Sequence, residues 1–283
     1  MASRLAKIIA IVTGASSGLG RGIALAYARE GASIICADLQ PTARNDTSAT
    51  PTHDLINQKG GVAIFVKTDV REEAQIECLV AAAVKKFGRL DIMVNNAGIA
   101  NDVAGLAAKV GGVRLHETPT ETFDLTLAAN TRGVFLGSKY ALAQFLAQDP
   151  LPANSRGDKT RGWILNVASA AGIVALGGAP SYVASKHAVI GLTKQTALDY
   201  AKDKIHCNAL CPAFVSTALI SEITEDTNNP IAVETTKALV AAHPWGDLGQ
   251  VEDMARAAVF LVSEDAQWIT GHSLVVDGGY TVQ

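Results

Sequence analysis

The stretch "IIAIVTGASSGLGRGIALAYAREGASIICAD", Ile8 to Asp38, contains a strand, a glycine loop, a helix and a second strand. Ile8–Thr13 is a short β-branched run. Gly14, Gly18 and Gly20 follow it at once, where a helix should open. Leu19, Ile23, Ala26 and Tyr27 recur at helical spacing and share a face, and Gly31 supplies a stop. Ser33–Ala37 is the second apolar run, ending at Asp38. Continuously apolar strands alternating with helices imply a parallel sheet covered on both faces. Right-handed crossovers then give a doubly wound α/β architecture, with the ligand crevice at the carboxyl ends of the strands.

The same rhythm continues outward. Further strands are predicted at Val62–Lys67, Ile92–Asn95, Trp163–Val167, Ile205–Leu210 and Ser273–Val276, making seven in all. Helical patterns lie near 18–30, 72–87, 121–147, 182–202 and 251–262. Segments 40–54 and 148–162 are polar and rich in Pro or Gly, so they are expected as surface insertions. The stretch 99–120 reads as loop. Residues 216–248 hold helical pieces but no strand, which places them over the crevice as a substrate lid. No linker interrupts the chain, and one domain spanning 1–283 is expected.

Composition narrows the function classes. Of 283 residues, 48% are apolar and 18% charged, a balance suited to an enzyme with a large core. A net charge of −3 gives no reason to expect nucleic acid or an anionic membrane as partner. Cys36, Cys78, Cys207 and Cys211 lack metal-ligand spacing, and three lie in or beside apolar runs, which suits a reducing, cytoplasmic setting. The six histidines show no paired metal motif, so no catalytic metal is expected. The start "MASRLAKIIAIVTG" has two basic residues before an apolar run. That run is about five residues, short of the roughly 7–15 of a signal core, and reads as the first strand. No segment reaches the ~18–20 apolar residues of a membrane span.

At the first strand's end, glycines permit φ > 0 and let backbone approach a pyrophosphate, while a helix start attracts anions. Asp38 ends the second strand 18 residues past Gly20. A carboxylate there accepts hydrogen bonds from adenosine ribose hydroxyls and repels a 2′-phosphate. Asp69-Val70 and "NNAG" (Asn95–Gly98) occupy the next two strand ends, where their short polar side chains would line an adenine or tie the central strands together. Turn chemistry alone would explain either motif singly; their recurrence at successive strand ends favours a site.

Later in the chain, Tyr182 and Lys186 stand four residues apart on one predicted helix face. With Thr-Gly-x-x-x-Gly-x-Gly at 13–20, Asp38, Asp69, Asn-Asn-Ala-Gly at 95–98, Asn130, Ser169, Tyr-x-x-x-Lys at 182–186, Pro212 and Thr217, the chain resembles the short-chain dehydrogenase/reductase family from Lys7 to Gly279. Ser169 precedes Tyr182 by 13 residues, as the family's serine does. The resemblance implies a Rossmann-like seven-stranded sheet, a nicotinamide cofactor and a catalytic set of Asn130, Ser169, Tyr182 and Lys186. Its cofactor contacts would come from Gly14, Ser16, Ser17, Gly18, Leu19 and Gly20, from Asp38 and Leu39, and from Asp69, Val70, Asn96, Ala97 and Gly98. Tyr182, Lys186, Pro212, Val215 and Thr217 would complete them.

Chemistry explains the Tyr–Lys pair. Carbonyl reduction builds charge on oxygen that needs a proton, and a free phenol at pKa about 10 is a poor base near neutrality. A neighbouring ammonium should lower that pKa. By the resemblance, Lys186 also holds the nicotinamide ribose, Ser169 binds the substrate oxygen, and Asn130 holds a water linking Lys186 to solvent. The sequence departs from the family's usual Pro-Gly at Pro212-Ala213, so the local loop is expected to differ.

The leading expectation is an oxidoreductase acting on a secondary alcohol or ketone, with NAD(H) preferred and NADP(H) possible through Arg44. A 3-oxoacyl carrier-protein reductase, a same-fold epimerase, dehydratase or cyclase, and a non-catalytic NAD-binding protein stay open. Pocket walls are expected from Ile99, Ala170, Ala171, Ile173, Gly178, Phe214, Leu219 and Trp245, which suit a medium-sized apolar small-molecule substrate. Apolar residues on more than one side of helices 121–147 and 182–202 point to a homotetramer, which is common in the family.

Overall fold

The computed structural model describes residues 3–43, 46–102, 112–154, 156–217 and 230–283. Its seven strands are β1 (Ile9–Thr13), β2 (Ser33–Asp38), β3 (Val62–Lys67), β4 (Ile92–Asn95), β5 (Gly162–Val167), β6 (Ile205–Pro212) and β7 (Ser273–Val276). All pair in parallel, in the order β3-β2-β1-β4-β5-β6-β7. The order reverses between β1 and β4, and such a reversal opens a crevice outside the strands' carboxyl ends. The doubly wound α/β reading therefore holds.

The helices are α1 (Gly18–Arg29), α2 (Thr52–Gln58), α3 (Glu73–Phe87), α4 (Thr120–Leu127), α5 (Gly133–Ala147), α6 (Pro180–Tyr200), α7 (Pro230–Ala241) and α8 (Val251–Leu261). Strand alternation divides the core into two layers. Ala10, Val12, Ile34, Cys36, Ile92, Val94 and Leu165 pack with Ile23 and Tyr27 of α1 and Met254, Ala258 and Val259 of α8. Ile9, Ile11, Ile35, Met93 and Ile164 pack on the other face with Ile76, Leu79 and Ala83 of α3 and Leu136, Ala141 and Phe145 of α5. Each fully buried aliphatic side chain stabilises by roughly 1.5–3 kcal/mol, so both faces of the sheet are held strongly.

Three expectations are corrected. The 121–147 pattern is not one α-helix, because a π-helical turn at Ala128–Arg132 separates α4 from α5. The 40–54 insertion runs into α2, whose Thr52 and Ile56 are buried, and Thr52 Oγ1 donates to Ala15 O at 2.7 Å. The 99–120 loop contains a 3₁₀ turn, Leu115–Glu117, and α4 already begins at Thr120. Among the described residues of segment 216–248, α7 is the helical piece, and residues 218–229 lie outside them. Val215 bridges Gly249 just outside the segment, so both of its ends are pinned together at the sheet's carboxyl edge. Arg44 and Leu219 lie outside the described residues.

Candidate active site

A groove of about 630 Å³ runs across the carboxyl ends of the strands, within the size range of small-molecule sites. One end is built by the glycine loop. Gly14 has φ +67°, and a Cβ there would lie 2.7 Å from Asn96 Nδ2. A Cβ on Gly20 would lie 2.1 Å from Gly14 O, so this glycine closes the loop on itself and does not line the groove. Thr13 ties loop and sheet together: its hydroxyl donates to Val94 O and accepts the amides of Asn96 and Ala97. Asn96 Nδ2 donates back to Thr13 O at 2.8 Å, and Asn95 Nδ2 joins Ser138 and Asn166. The asparagine pair thus holds the central strands at the groove floor.

Ser16, Ser17, Gly18 and Leu19 line the groove where α1 begins. The Ser17 N-cap makes no side-chain hydrogen bond, and the first turn contains no acidic residue. Helix N–H groups and the positive end of the helix dipole are therefore available to a pyrophosphate, so this end fits a dinucleotide. Asp38 lines the same end. Its Oδ2 accepts Ser16 N at 3.0 Å and Oδ1 accepts Leu39 N at 2.8 Å, which fixes the carboxylate while leaving further lone pairs for ribose hydroxyls. Leu39, Asp69, Val70, Asn96, Ala97 and Gly98 continue the lining.

The other end holds the residues expected to react. Ser169, Tyr182 and Lys186 all line the groove, with Pro212, Phe214, Val215 and Thr217 beside them. Ser169 follows β5 and starts a 3₁₀ turn, Ala170–Gly172, with its Oγ accepting Ala171 N at 3.1 Å. A Cβ on Gly172 would lie 2.8 Å from Lys186 O, so glycine lets this turn press against α6. Lys186 is buried, donates to Val167 O at 2.8 Å, and lies 5.5 Å from the Tyr182 ring centroid. Burial pushes its ammonium down to about 8.

The half-buried Tyr182 phenol is also displaced, but upward. Burial raises it, its hydrogen bond to Ser169 lowers it, and the charge of Asp102 raises it. The lowering expected from Lys186 is not among these influences; its ammonium donates to the Val167 carbonyl instead. Asn130 stands behind the groove, in the π-helical turn. Its Oδ1 accepts Ile99 N at 2.8 Å, and its Nδ2 donates to Ile99 O and Ser185 Oγ. Both amide protons already have protein partners, so only a remaining Oδ1 lone pair could meet a water.

Among the expected wall residues, Ile99, Ala170, Ala171 and Phe214 line the groove. Ile173, Gly178 and Trp245 do not, and Trp245 is 84% exposed. Ala213 takes ordinary backbone, since Lys7 and Lys204 are the only non-glycine residues at positive φ among those described. Two contributors carried no sequence signal. Asp102, fully buried, caps α6 by accepting Ser181 N and Tyr182 N at 2.8 and 3.0 Å. Tyr280 reaches the lining from beyond β7.

No helix among the described residues is long and apolar enough to cross a membrane. The family model described as enoyl-(acyl carrier protein) reductase matches residues 14–281. A 2-(R)-hydroxypropyl-CoM dehydrogenase of Xanthobacter autotrophicus is 36% identical over 96% of this chain and 98% of its own. A cyclohexanol dehydrogenase of Acinetobacter sp. is 34% identical over 99% and 98%. A 2,5-dichloro-2,5-cyclohexadiene-1,4-diol dehydrogenase of Sphingobium indicum is 34% identical over 96% of each chain. With its sheet order, its glycine loop and its serine, tyrosine and lysine in one groove, this chain belongs to the short-chain dehydrogenase/reductase family of enzymes.

Proposed function

We propose that this enzyme transfers a hydride between a nicotinamide cofactor, NAD(H) in preference to NADP(H), and a secondary alcohol or ketone of medium size and mostly apolar character. The observation that carries this reading is the convergence of Ser169, Tyr182 and Lys186 in the groove that Asp38 bounds at its other end. The cofactor, when bound, supplies or accepts the hydride. Tyr182 gives its phenolic proton to the developing alkoxide in reduction and takes it back in oxidation, a role worth about 10²–10⁴-fold in rate. Ser169 holds the substrate oxygen through its hydroxyl. Lys186, brought up beside the tyrosine ring, binds ribose hydroxyls and favours the phenolate once its ammonium faces the groove.

The apolar residues Ile99, Ala170, Ala171 and Phe214 support a mostly apolar substrate. Asp38 supports the NAD(H) preference through repulsion of a 2′-phosphate. In this reading the chain, 1–283, is one catalytic domain, segment 216–248 closes over the substrate, and the enzyme assembles as a homotetramer. A carrier-protein-linked acyl substrate is the second reading, favoured by the description of the matching family model. Screening alcohols, ketones and acyl thioesters by absorbance of the reduced nicotinamide separates the two. Turnover of secondary alcohols with NAD supports the first; turnover confined to acyl thioesters overturns it.

A further inference from the structure

The groove extends past the catalytic trio onto a wall built by the chain's C-terminal tail. Asp38 lies on β2 and Ser169 follows β5, while Phe214 follows β6 and Tyr280 follows β7. Both residues follow strands that lie beyond β5 as counted from β2 in the sheet. Their rings meet edge to face, with centroids 5.7 Å apart. Buried His243 closes the cluster from behind, 6.0 Å from Phe214 and 5.5 Å from Tyr280.

The tail is a built element. Asp277 Oδ1 accepts Gly279 N at 2.9 Å, and Oδ2 accepts the Thr281 amide and hydroxyl at 2.8 and 2.7 Å. The turn needs positive φ at Gly278 and Gly279, +57° and +87°. Both glycines lie against 243–245: a Cβ on Gly278 would come within 3.2 Å of Trp245 Cβ, and one on Gly279 within 3.2 Å of Pro244. Trp245 N donates to Gly278 O at 3.0 Å, and Gln283 Nε2 donates to Ala242 O at 2.7 Å. Tyr280 is thus presented by a fixed turn.

We infer that Tyr280 is a specificity-determining residue that, with Phe214, selects secondary alcohols and ketones carrying a ring next to the reacting carbon. This rests on the reading given under Proposed function. Two rings already set edge to face accept a third in offset or edge contact, whereas a small alkyl group leaves that wall uncovered. Ala170, Ala171 and Ala175, which also line the groove, are small and leave room for a ring, while Val174 and Leu176 add apolar surface to it.

The test compares kcat/KM for 1-phenylethanol and 2-propanol in wild type, Tyr280→Ala and Tyr280→Leu, with NAD affinity measured by fluorescence titration. Expected is a wild-type preference for the ring-bearing alcohol that falls at least tenfold in both variants while NAD affinity stays within twofold. A preference unchanged within twofold in either variant overturns the wall. Should Tyr280→Ala fail to bind NAD, Tyr280→Leu, which keeps most of the volume, decides alone. Wild type that turns over neither alcohol with either cofactor, nor the corresponding ketones in reverse, overturns the proposed function and this inference with it.

Discussion

Asp102 and Tyr182, eighty residues apart in the chain, are joined where α6 begins: Asp102 Oδ2 accepts the Tyr182 amide at 3.0 Å and the Ser181 amide at 2.8 Å. One buried carboxylate therefore caps the helix that carries Tyr182 and contributes to the charge environment of its phenol. Loss of such a cap costs about 1–2 kcal/mol. Asp102→Ala should lose roughly that much stability, and Asp102→Asn, which keeps a carbonyl acceptor, should recover part of it. The charge of Asp102 raises the Tyr182 phenol, so removing it favours phenolate. In Asp102→Asn the acid limb of alcohol oxidation should move to lower pH, read from the profile of kcat/KM. A limb that stays in place or moves to higher pH refutes the electrostatic role.

Lys186 opposes stability at neutral pH. Burial pushes its ammonium from the ordinary 10.5 to about 8. Between those values the unfolded chain binds more protons than the folded one, so stability rises with pH through that window. Below about pH 8 the full penalty remains, roughly 3 kcal/mol at 1.36 kcal/mol per pH unit. Lys186→Met removes the buried charge but also the hydrogen bond to Val167 O. The variant should be inactive yet melt a few degrees higher at pH 7, with the gain shrinking toward pH 10. Calorimetry across that range checks it: a variant no more stable at pH 7 than wild type contradicts the assignment.

The inner strands were legible because both-face burial writes continuous apolar runs, as in Ile9–Val12 and Ile34–Ala37, whose residues are all buried. The groove's strand-end residues were legible for a related reason, since parallel topology sends every such end to one side. Helix α2 was hidden because its seven residues are mostly polar and bury only Thr52 and Ile56. The π-helical turn at Ala128–Arg132 was hidden because a single extra residue per turn barely disturbs helical periodicity. Asp102 and Tyr280 act through contacts that only the tertiary fold creates. Trp245 shows the converse: side-chain size suggested a wall, but its backbone turns the ring outward.

Assembly is the third expectation. Phe135 and Leu146 on α5 and Leu198 on α6 are 48, 45 and 76% exposed, on the two helices whose other faces bury the sheet. Apolar side chains left outside on adjoining helices are covered in an oligomer or remain an aggregation liability. Light scattering at micromolar concentration should give four times the chain mass of 29.4 kDa. Phe135→Glu with Leu198→Glu should reduce that mass while leaving the melting of the individual fold in place. A monomeric wild type rules the assembly out.

The proposed preference for NAD(H) rests on Asp38, and the geometry dictates which substitution is informative. Both carboxylate oxygens accept backbone amides, from Ser16 and Leu39, so Asp38→Ala would disturb the glycine loop as well as remove charge. Asp38→Asn keeps a carbonyl acceptor for one of the two amides and removes the charge that repels a 2′-phosphate. Wild type should bind NAD more tightly than NADP, and Asp38→Asn should narrow the ratio by about tenfold, the effect of roughly 1.4 kcal/mol. Most of the change should come from tighter NADP binding, because repulsion is lost. A small fall in NAD affinity should accompany it, because a charged acceptor for the ribose hydroxyls becomes neutral. Fluorescence titration of both cofactors resolves the two contributions. Should wild type prefer NADP, or should the Asn variant lose NAD affinity with no gain for NADP, Asp38 serves to hold the loop and does not select the cofactor.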